Sequence, residues 1–255
     1  MDVFLSGLTP ALFALAFAVT FLAGAVKGMV GFALPMIMVS GLSSFIAPEL
    51  ALAGLILPTV AANAMQALRY GPREAFAVVK SFKVFLIVGG VMLLLSAQLV
   101  SVVPQHVLLL VIGITVSLFT GLQLFGWSPG LSGTSKGVEA LFGFVAGSIG
   151  GISGIWGPPT VMYLHALDVA KRESLCIQGV IYGLGAVLLM FSHVSSGVLN
   201  ARTLPFSVAM LVPAMLGIWL GFKFHDRIDQ KSFKRLTQIV LFIAGLNLLR
   251  RGLMG

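Results

Sequence analysis

Two glycine–proline sequences interrupt apolar stretches of the chain, and they hold most of the residues that could do chemistry. The first reads Gly28-Met29-Val30-Gly31-Phe32-Ala33-Leu34-Pro35, and the second reads Gly151-Ile152-Ser153-Gly154-Ile155-Trp156-Gly157-Pro158. The glycines and the proline keep the same spacing, because Gly151 follows Gly28 by 123 residues. Glycine lets backbones approach closely, and proline withholds an amide donor and stops a helix. Each sequence therefore predicts a broken helix, with the break at Pro35 in the first copy and at Gly157 and Pro158 in the second.

The chemistry that these breaks favour is the binding of an anion. A helix N-terminus carries partial positive charge and free amides, and both suit an anion. We predict that amides around the four glycines of the breaks bind the oxygens of a substrate: Gly28, Gly31, Gly151 and Gly154. The alternative is that these glycines only allow close packing of helices. The repetition of the whole pattern in both halves favours a site.

Lys27 lies directly before the first break and would offset the charge of an anion. An ionisable residue within a membrane segment indicates a functional site. If the segment before the break crosses the membrane completely, however, Lys27 reaches the boundary and only orients the protein. The site role is favoured because Gly150 occupies the corresponding position in the second half.

Four uncharged polar residues complete the predicted substrate site. Asn63 and Gln66 lie one helical turn apart on one face, where they could contact a polar substrate or join helices. Ser153 could donate to an oxyanion, or it could bond back to its own helix. Tyr163 follows the second break.

The positions of the acidic residues also favour an anion as substrate. All eight of them lie at the ends of apolar segments or in loops. Cation pumps and many proton-coupled carriers place a carboxylate deep inside the membrane. We therefore expect a small anionic substrate, and we predict no metal site, no cofactor and no catalytic residue.

The composition identifies the kind of protein that must position these residues. Hydrophobic residues make up 58 % of the 255 residues, whereas charged residues make up 9 %. A soluble domain has about a quarter of its residues charged, so this chain cannot build a soluble surface. The net charge of +8 is explained by basic residues that flank membrane segments, and not by nucleic acid. The prediction is an all-α, multi-spanning protein in the lipid bilayer.

The apolar segments predict helices, two of which are too short to cross a bilayer. A crossing needs about 20 residues. Segments 32–46 and 157–167 fall short, so we interpret them as second arms of hairpins that begin with 9–26 and 138–154. Sequence leaves open whether each hairpin crosses fully or re-enters. The ten segments are 9–26, 32–46, 50–68, 82–100, 106–126, 138–154, 157–167, 174–193, 203–222 and 233–250.

The chain is predicted to consist of two inverted repeats. Basic residues crowd loop 69–83, whereas the equivalent loop 192–203 is nearly free of them. Under the positive-inside rule, these equivalent loops lie on opposite sides of the membrane. We assign residues 1–126 and 138–255 to two repeats of about four to five helical segments, and 127–137 to a turn-rich linker. The broken hairpins would meet near the bilayer centre, with the site between them.

The breaks resemble those of the TauE/SafE-type sulfite exporters. The first copy is similar to this family over Gly24-Ala25-Val26-Lys27-Gly28 through Pro35, and the second over Gly147-Ser148-Ile149-Gly150-Gly151 through Pro159. The resemblance covers essentially the whole chain. It implies a bacterial inner-membrane transporter, with several spans, for sulfite, sulfonates or related small organic anions. Ala33 departs from the family pattern, since many relatives have glycine there.

The functional prediction is a secondary transporter, and not an enzyme, that exports a small anion by alternating access. A passive anion channel is one alternative, because sequence does not separate a carrier from a pore. An intramembrane serine protease is another, because Gly151-Ile152-Ser153-Gly154 matches the Gly-x-Ser-Gly of rhomboid proteases. The absence of a serine from the first copy, Gly28-Met29-Val30-Gly31, disfavours the protease. The sequence also allows a homodimer.

Overall fold

The computed structural model describes residues 8–97, 104–125, 135–153, 156–195 and 197–254. Within these ranges the chain forms eleven α-helices and no strand. In chain order they are α1 (Pro10–Val30), α2 (Leu34–Leu42), α3 (Pro48–Ala67), α4 (Pro72–Ser81), α5 (Lys83–Ala97), α6 (Gln105–Leu124), α7 (Lys136–Ser153), α8 (Gly157–Ala166), α9 (Lys171–Ser195), α10 (Leu204–Arg227) and α11 (Gln230–Leu253). Most of the predicted linker 127–137 lies outside the described residues.

Several helices begin at residues that favour a helix start. The hydroxyl of Thr9 accepts a hydrogen bond from the amide of Leu12 at 3.3 Å and caps α1. Asp229 caps α11 in the same way, by accepting from the amide of Ser232 at 2.8 Å. Proline lies in the first turn of α1, α2, α3, α4, α8 and α10, where its missing amide costs no helical hydrogen bond.

Ten of the eleven helices coincide with the ten apolar segments of the sequence. The additional helix is α4, where we expected a loop, so this expectation was wrong. Its ten residues include the charged Arg73, Glu74 and Lys80 on the outside and bury Val78, so they form no apolar run of spanning length. Helix α4 meets α5 at an angle of 78°.

The prediction of an all-helical membrane protein with several spans is confirmed. Five helices of the described chain are long and apolar enough to cross a membrane: α1, α3, α9, α10 and α11. The bent pair of α4 and α5 would make a sixth. Large apolar side chains such as Leu22, Ile87 and Phe191 are exposed on the outside, where lipid would cover them.

The first helix of each half packs against a helix of the other half. Helix α1 packs along α10, and α7 packs along α5. Both contacts depend on glycine, because a Cβ on Gly28 would lie 2.5 Å from the carbonyl oxygen of Ile218, and one on Gly143 would lie 2.8 Å from that of Phe85. Helix α3 packs against α9, and α6 packs against α11. The short helices α2 and α8 are thereby held in the interior.

Candidate functional site

A cavity of about 30 Å³ lies where the two breaks meet. Its walls come from α1, α2 and α3 of the first half and from the start of α8 and the middle of α9 in the second. The lining residues are Lys27, Phe32, Ala33, Pro35, Met36, Thr59, Asn63, Trp156, Gly157 and Tyr182. The cavity therefore joins two parts of the sequence that are more than one hundred residues apart.

Lys27 is the basic residue in the wall of this cavity. Its side chain is only 2 % exposed. The Nζ atom donates a hydrogen bond to Asn63 Oδ1 at 2.6 Å and another to the carbonyl oxygen of Gly31 at 3.2 Å. It also lies 5.7 Å from the centre of the Tyr182 ring. These partners orient the amine but carry no full negative charge.

No carboxylate in the described part of the chain forms an ion pair with Lys27. One ion pair among the described residues joins Arg69 and Asp226 at 2.7 Å, and Asp226 is largely exposed. A buried charge is costly unless an opposite charge balances it. The cavity next to Lys27 therefore favours a ligand that brings a negative charge.

The first break ends α1 with a residue in the left-handed region. Gly31 has φ +90°, and its amide donates to the carbonyl oxygen of Lys27 at 2.7 Å, which closes the helix. Two residues later Ala33 has φ +78° and precedes the first residue of α2. This conformation costs an L-residue with a side chain about 1–2 kcal/mol. Ala33 therefore places strain at the cavity wall.

The N-termini of α2 and α8 both reach the cavity. Ala33, Pro35 and Met36 line it from the first break, and Trp156 and Gly157 line it from the second. In neither helix does a side chain cap the N-terminus within the described residues. Amides in the first turn of a helix have no acceptor within the helix. Two positive helix ends therefore point towards the space beside Lys27.

Thr59 and Tyr182 line the cavity but were missing from the predicted site. Thr59 is 6 % exposed, and its Oγ1 has no hydrogen-bond partner within the described residues. It lies one turn before Asn63 on the same face of α3, and this spacing could have revealed it. The Tyr182 hydroxyl donates to the carbonyl oxygen of Gly157 at 3.1 Å and so holds the start of α8. Tyr182 comes from a distant segment, and sequence contains no signal of this contact.

The structure brings together several of the predicted residues. Lys27, Asn63, Pro35 and Gly157 line the cavity, and the carbonyl of Gly31 binds the Lys27 amine. These residues come from both breaks and from α3.

Other predicted residues lie away from the cavity lining. The amide nitrogen of Gln66 donates to the carbonyl oxygen of Leu175 at 2.7 Å and joins α3 to α9. Tyr163 packs among aromatic rings, with its ring centre 4.8 Å from that of Phe142. Gly28 faces α10.

The second break is described only in part. Gly151 is buried in the last turn of α7, and Ser153 ends that helix. Gly154 and the side chains of Ser153 and Pro158 lie outside the described residues. Their predicted roles stay predictions.

The ends of helices α3 and α10 are joined by charged and aromatic contacts near the first break. The Arg69 guanidinium lies 4.0 Å from the centre of the Phe222 ring, in addition to its bond with Asp226. His225 Nδ1 lies 3.0 Å from the carbonyl oxygen of Met29, close to the end of α1. These contacts tie the two halves together on one side of the cavity.

A family model described as Sulfite exporter TauE/SafE matches residues 16–248 of the chain. No curated protein and no solved structure was found to be significantly similar. The family match covers nearly the whole chain, so the chain belongs to the sulfite exporter TauE/SafE family. It is accordingly a membrane transporter from a family that handles sulfite or related anions, and not an enzyme. The alternative of a serine protease is therefore wrong.

Proposed function

We propose that this family member exports sulfite or a similarly small anion across the inner membrane, through the cavity between the two breaks. The observation that carries this proposal is the buried Lys27 amine beside two helix N-termini, with no carboxylate partner in the described chain. An anion in the cavity would provide the missing negative charge. The direction of transport is inferred from the family description.

Each group in the cavity wall has a role in this proposal. Lys27 balances the charge of the anion, and Asn63 holds the amine towards the cavity through its 2.6 Å bond. Thr59 donates its hydroxyl, because this group has no other partner among the described residues. A hydrogen bond to a charged group contributes about 1.5–3 kcal/mol. Two or three such bonds are sufficient to select an oxyanion over a neutral solute.

The first-turn amides that proline leaves, those of Leu34 and Met36 in α2 and of Gly157 in α8, would complete the binding of the oxygens. Of the predicted break residues, Pro35 and Gly157 lie in the wall of this space, and the carbonyl of Gly31 contacts Lys27. Gly151, Ser153 and Gly154 belong to the same break as Gly157, and we propose that they shape its far side. Gln66 and Tyr163 each have a buried oxygen without a partner in the described chain. We assign these two side chains to the path that the anion takes to or from the cavity, and not to the cavity itself.

Transport requires the cavity to change shape. Its volume of about 30 Å³ has room for about two or three water molecules. We propose that the halves move apart to admit a sulfur oxyanion. We propose that they are inverted repeats and that one rocks against the other to expose the site alternately. The exchange of partners between the halves, α1 with α10 and α7 with α5, supports this arrangement.

A passive anion channel is the alternative that the flux measurements below separate from a carrier.

A homodimer is a separate proposal. Light scattering of the detergent-solubilised protein would measure the mass of the complex, and a mass of one chain would refute the homodimer.

Flux measurements in proteoliposomes test the proposal. We expect the uptake of radiolabelled sulfite to saturate with concentration and to accelerate when the vesicles are preloaded with unlabelled sulfite. Exchange of this kind is characteristic of a carrier. Flux that grows linearly without exchange would show a channel, and flux equal to that of protein-free vesicles would refute sulfite transport.

A further inference from the structure

Trp156 lies between the cavity beside Lys27, here called the Lys27 cavity, and a second cavity. It lines both of them and is 7 % exposed. The second cavity has a volume of about 60 Å³ and lies between α5, α7 and α9, with Leu93, Ile181 and Leu188 in its wall. Its wall is more apolar than that of the Lys27 cavity, and apolar cavities accept apolar groups of matching size. A space suited to a hydrocarbon group therefore lies directly behind one wall of the proposed anion site.

The chain reserves space for the Trp156 side chain. A Cβ on Gly150 would lie 2.9 Å from Trp156 Cβ and Cε3. A Cβ on Gly185 would lie 3.2 Å from Trp156 Cζ2. The indole thus fits because the residues that face it on two sides, Gly150 and Gly185, have no side chain.

Other parts of the wall of the Lys27 cavity are held in place by hydrogen bonds. Two such bonds fix Lys27, and the Tyr182 hydroxyl is bonded to the carbonyl of Gly157. Residues within 32–36 of the first break form most of the rest. Trp156 differs from them, because open apolar space lies on its far side. The position of the indole therefore sets how large an anion the site accepts.

We propose that Trp156 is the size filter of the transporter, and that it restricts the substrate to compact oxyanions without a hydrocarbon tail. This inference rests on the proposed anion transport. The head group of an alkanesulfonate would bind beside Lys27, as sulfite does. Its tail would need more space than the Lys27 cavity of about 30 Å³ provides, and the adjacent apolar space lies behind the indole. Replacement of Trp156 by a small residue joins the two cavities and provides that space.

Flux measurements with two substrates test whether Trp156 is a size filter. Proteoliposomes containing wild type, Trp156→Ala or Trp219→Ala are supplied with radiolabelled sulfite and, separately, radiolabelled propane-1-sulfonate. We expect Trp156→Ala to raise the ratio of propanesulfonate flux to sulfite flux at least about tenfold, since space for one methylene changes selectivity by about 10–200-fold. Trp219 is 53 % exposed and stacks on Lys223, so its replacement controls for the loss of a tryptophan.

A second pair of variants covers the case in which Trp156→Ala does not fold. Trp156→Leu keeps an apolar side chain of smaller volume and should raise the ratio in the same direction. Adding Leu93→Trp refills the apolar cavity and should return the ratio towards that of wild type.

The outcomes separate this inference from the proposal on which it rests. No sulfite flux by the wild type would refute both. Normal sulfite flux with an unchanged ratio in the Trp156 variants would refute the filter alone. Equal transport of propanesulfonate and sulfite by the wild type would also refute the filter.

Discussion

The two breaks lie at equivalent positions in the sequence but have opposite arrangements of side chains. Lys27 corresponds to Gly150, and Ala33 corresponds to Trp156, each pair separated by 123 residues. In the first break the large side chain comes before the interruption, and in the second it comes after. Each large side chain is matched by a small residue, and both large side chains reach the same cavity. The two interrupted helices thus build the space, whereas the unequal side chains determine its chemistry: one amine and one indole.

The helices that carry the breaks are much more alike. Gly24 on α1 and Gly147 on α7 are equivalent positions, and each is so close to the backbone of a partner helix that a Cβ would clash. The partners are α10 and α5, which belong to the opposite halves. The two halves therefore pack in the same way, whereas they contribute different side chains to the site. This difference predicts that substitutions in the two halves will have equal effects on the fold and unequal effects on transport.

Replacement of the cation should have the largest effect on transport. Lys27→Met keeps the apolar stem and removes the charged group, so sulfite flux should fall by about 100-fold, the equivalent of about 3 kcal/mol of lost interaction. Flux in proteoliposomes at matched protein content measures this. Lys80→Ala is the control. Lys80 is exposed on α4, so this variant should transport sulfite normally. Equal losses in the two variants would remove Lys27 from the site.

Alanine at the packing glycines should lower stability equally in the two halves. Gly24→Ala and Gly147→Ala each force helices apart, and overpacking costs about 1–3 kcal/mol. Thermal unfolding of the detergent-solubilised variants measures the loss. Gly90→Ala is the matched control, since a Cβ there meets nothing within 4 Å. A large loss of stability in only one of the two variants would contradict the prediction that the two pairs of helices pack equally tightly.

The partner of the cation should have a smaller effect than the cation itself. Asn63→Leu removes the acceptor that holds Lys27, and we expect sulfite affinity to fall by about tenfold, the loss of one charge-assisted hydrogen bond. Titration calorimetry measures the affinity. Gln66→Leu is the comparison variant in this series, because the Gln66 side chain donates to the carbonyl of Leu175 and does not line the cavity. Unchanged affinity in Asn63→Leu would contradict its positioning role.

The smallest expected effect is a gain in stability at the strained residue. Ala33→Gly relieves the positive φ of 78° and should stabilise the protein by about 1 kcal/mol. Ala53 lies inside α3, so Ala53→Gly should have the opposite sign, by about 1 kcal/mol or more. A rise in the unfolding temperature for the first variant and a fall for the second would confirm the strain. A fall in both would show that Ala33 is unstrained.

The sequence predicted the helices and breaks better than the site. Helix bounds follow from apolar runs and from proline and glycine, which act locally, so α1, α2, α7 and α8 were predicted closely. Asn63 and Gln66 show the limit. They lie three residues apart on one face of α3, yet the helix rotation turns Asn63 to Lys27 and Gln66 to Leu175. Which neighbour each would meet depends on the packing of α1 and α9, which no local pattern contains.

Tyr163 and Trp156 show the same limit in the second half. Tyr163 is six residues beyond the start of α8, so it lies away from the break and packs in an aromatic cluster with Phe85 and Phe142. Trp156 lies at the start of α8 and lines the cavity. The sequence places both after the same break, but only the path of α8 through the interior separates their surroundings.

Anion binding to the purified protein tests the central claim most directly. A ligand that binds the folded state raises the unfolding temperature by mass action. The account predicts that sulfite raises this temperature in wild type and in Lys80→Ala, and leaves it unchanged in Lys27→Met. A shift of the same size in Lys27→Met would contradict the account, because the anion would then bind somewhere other than the cavity between the breaks.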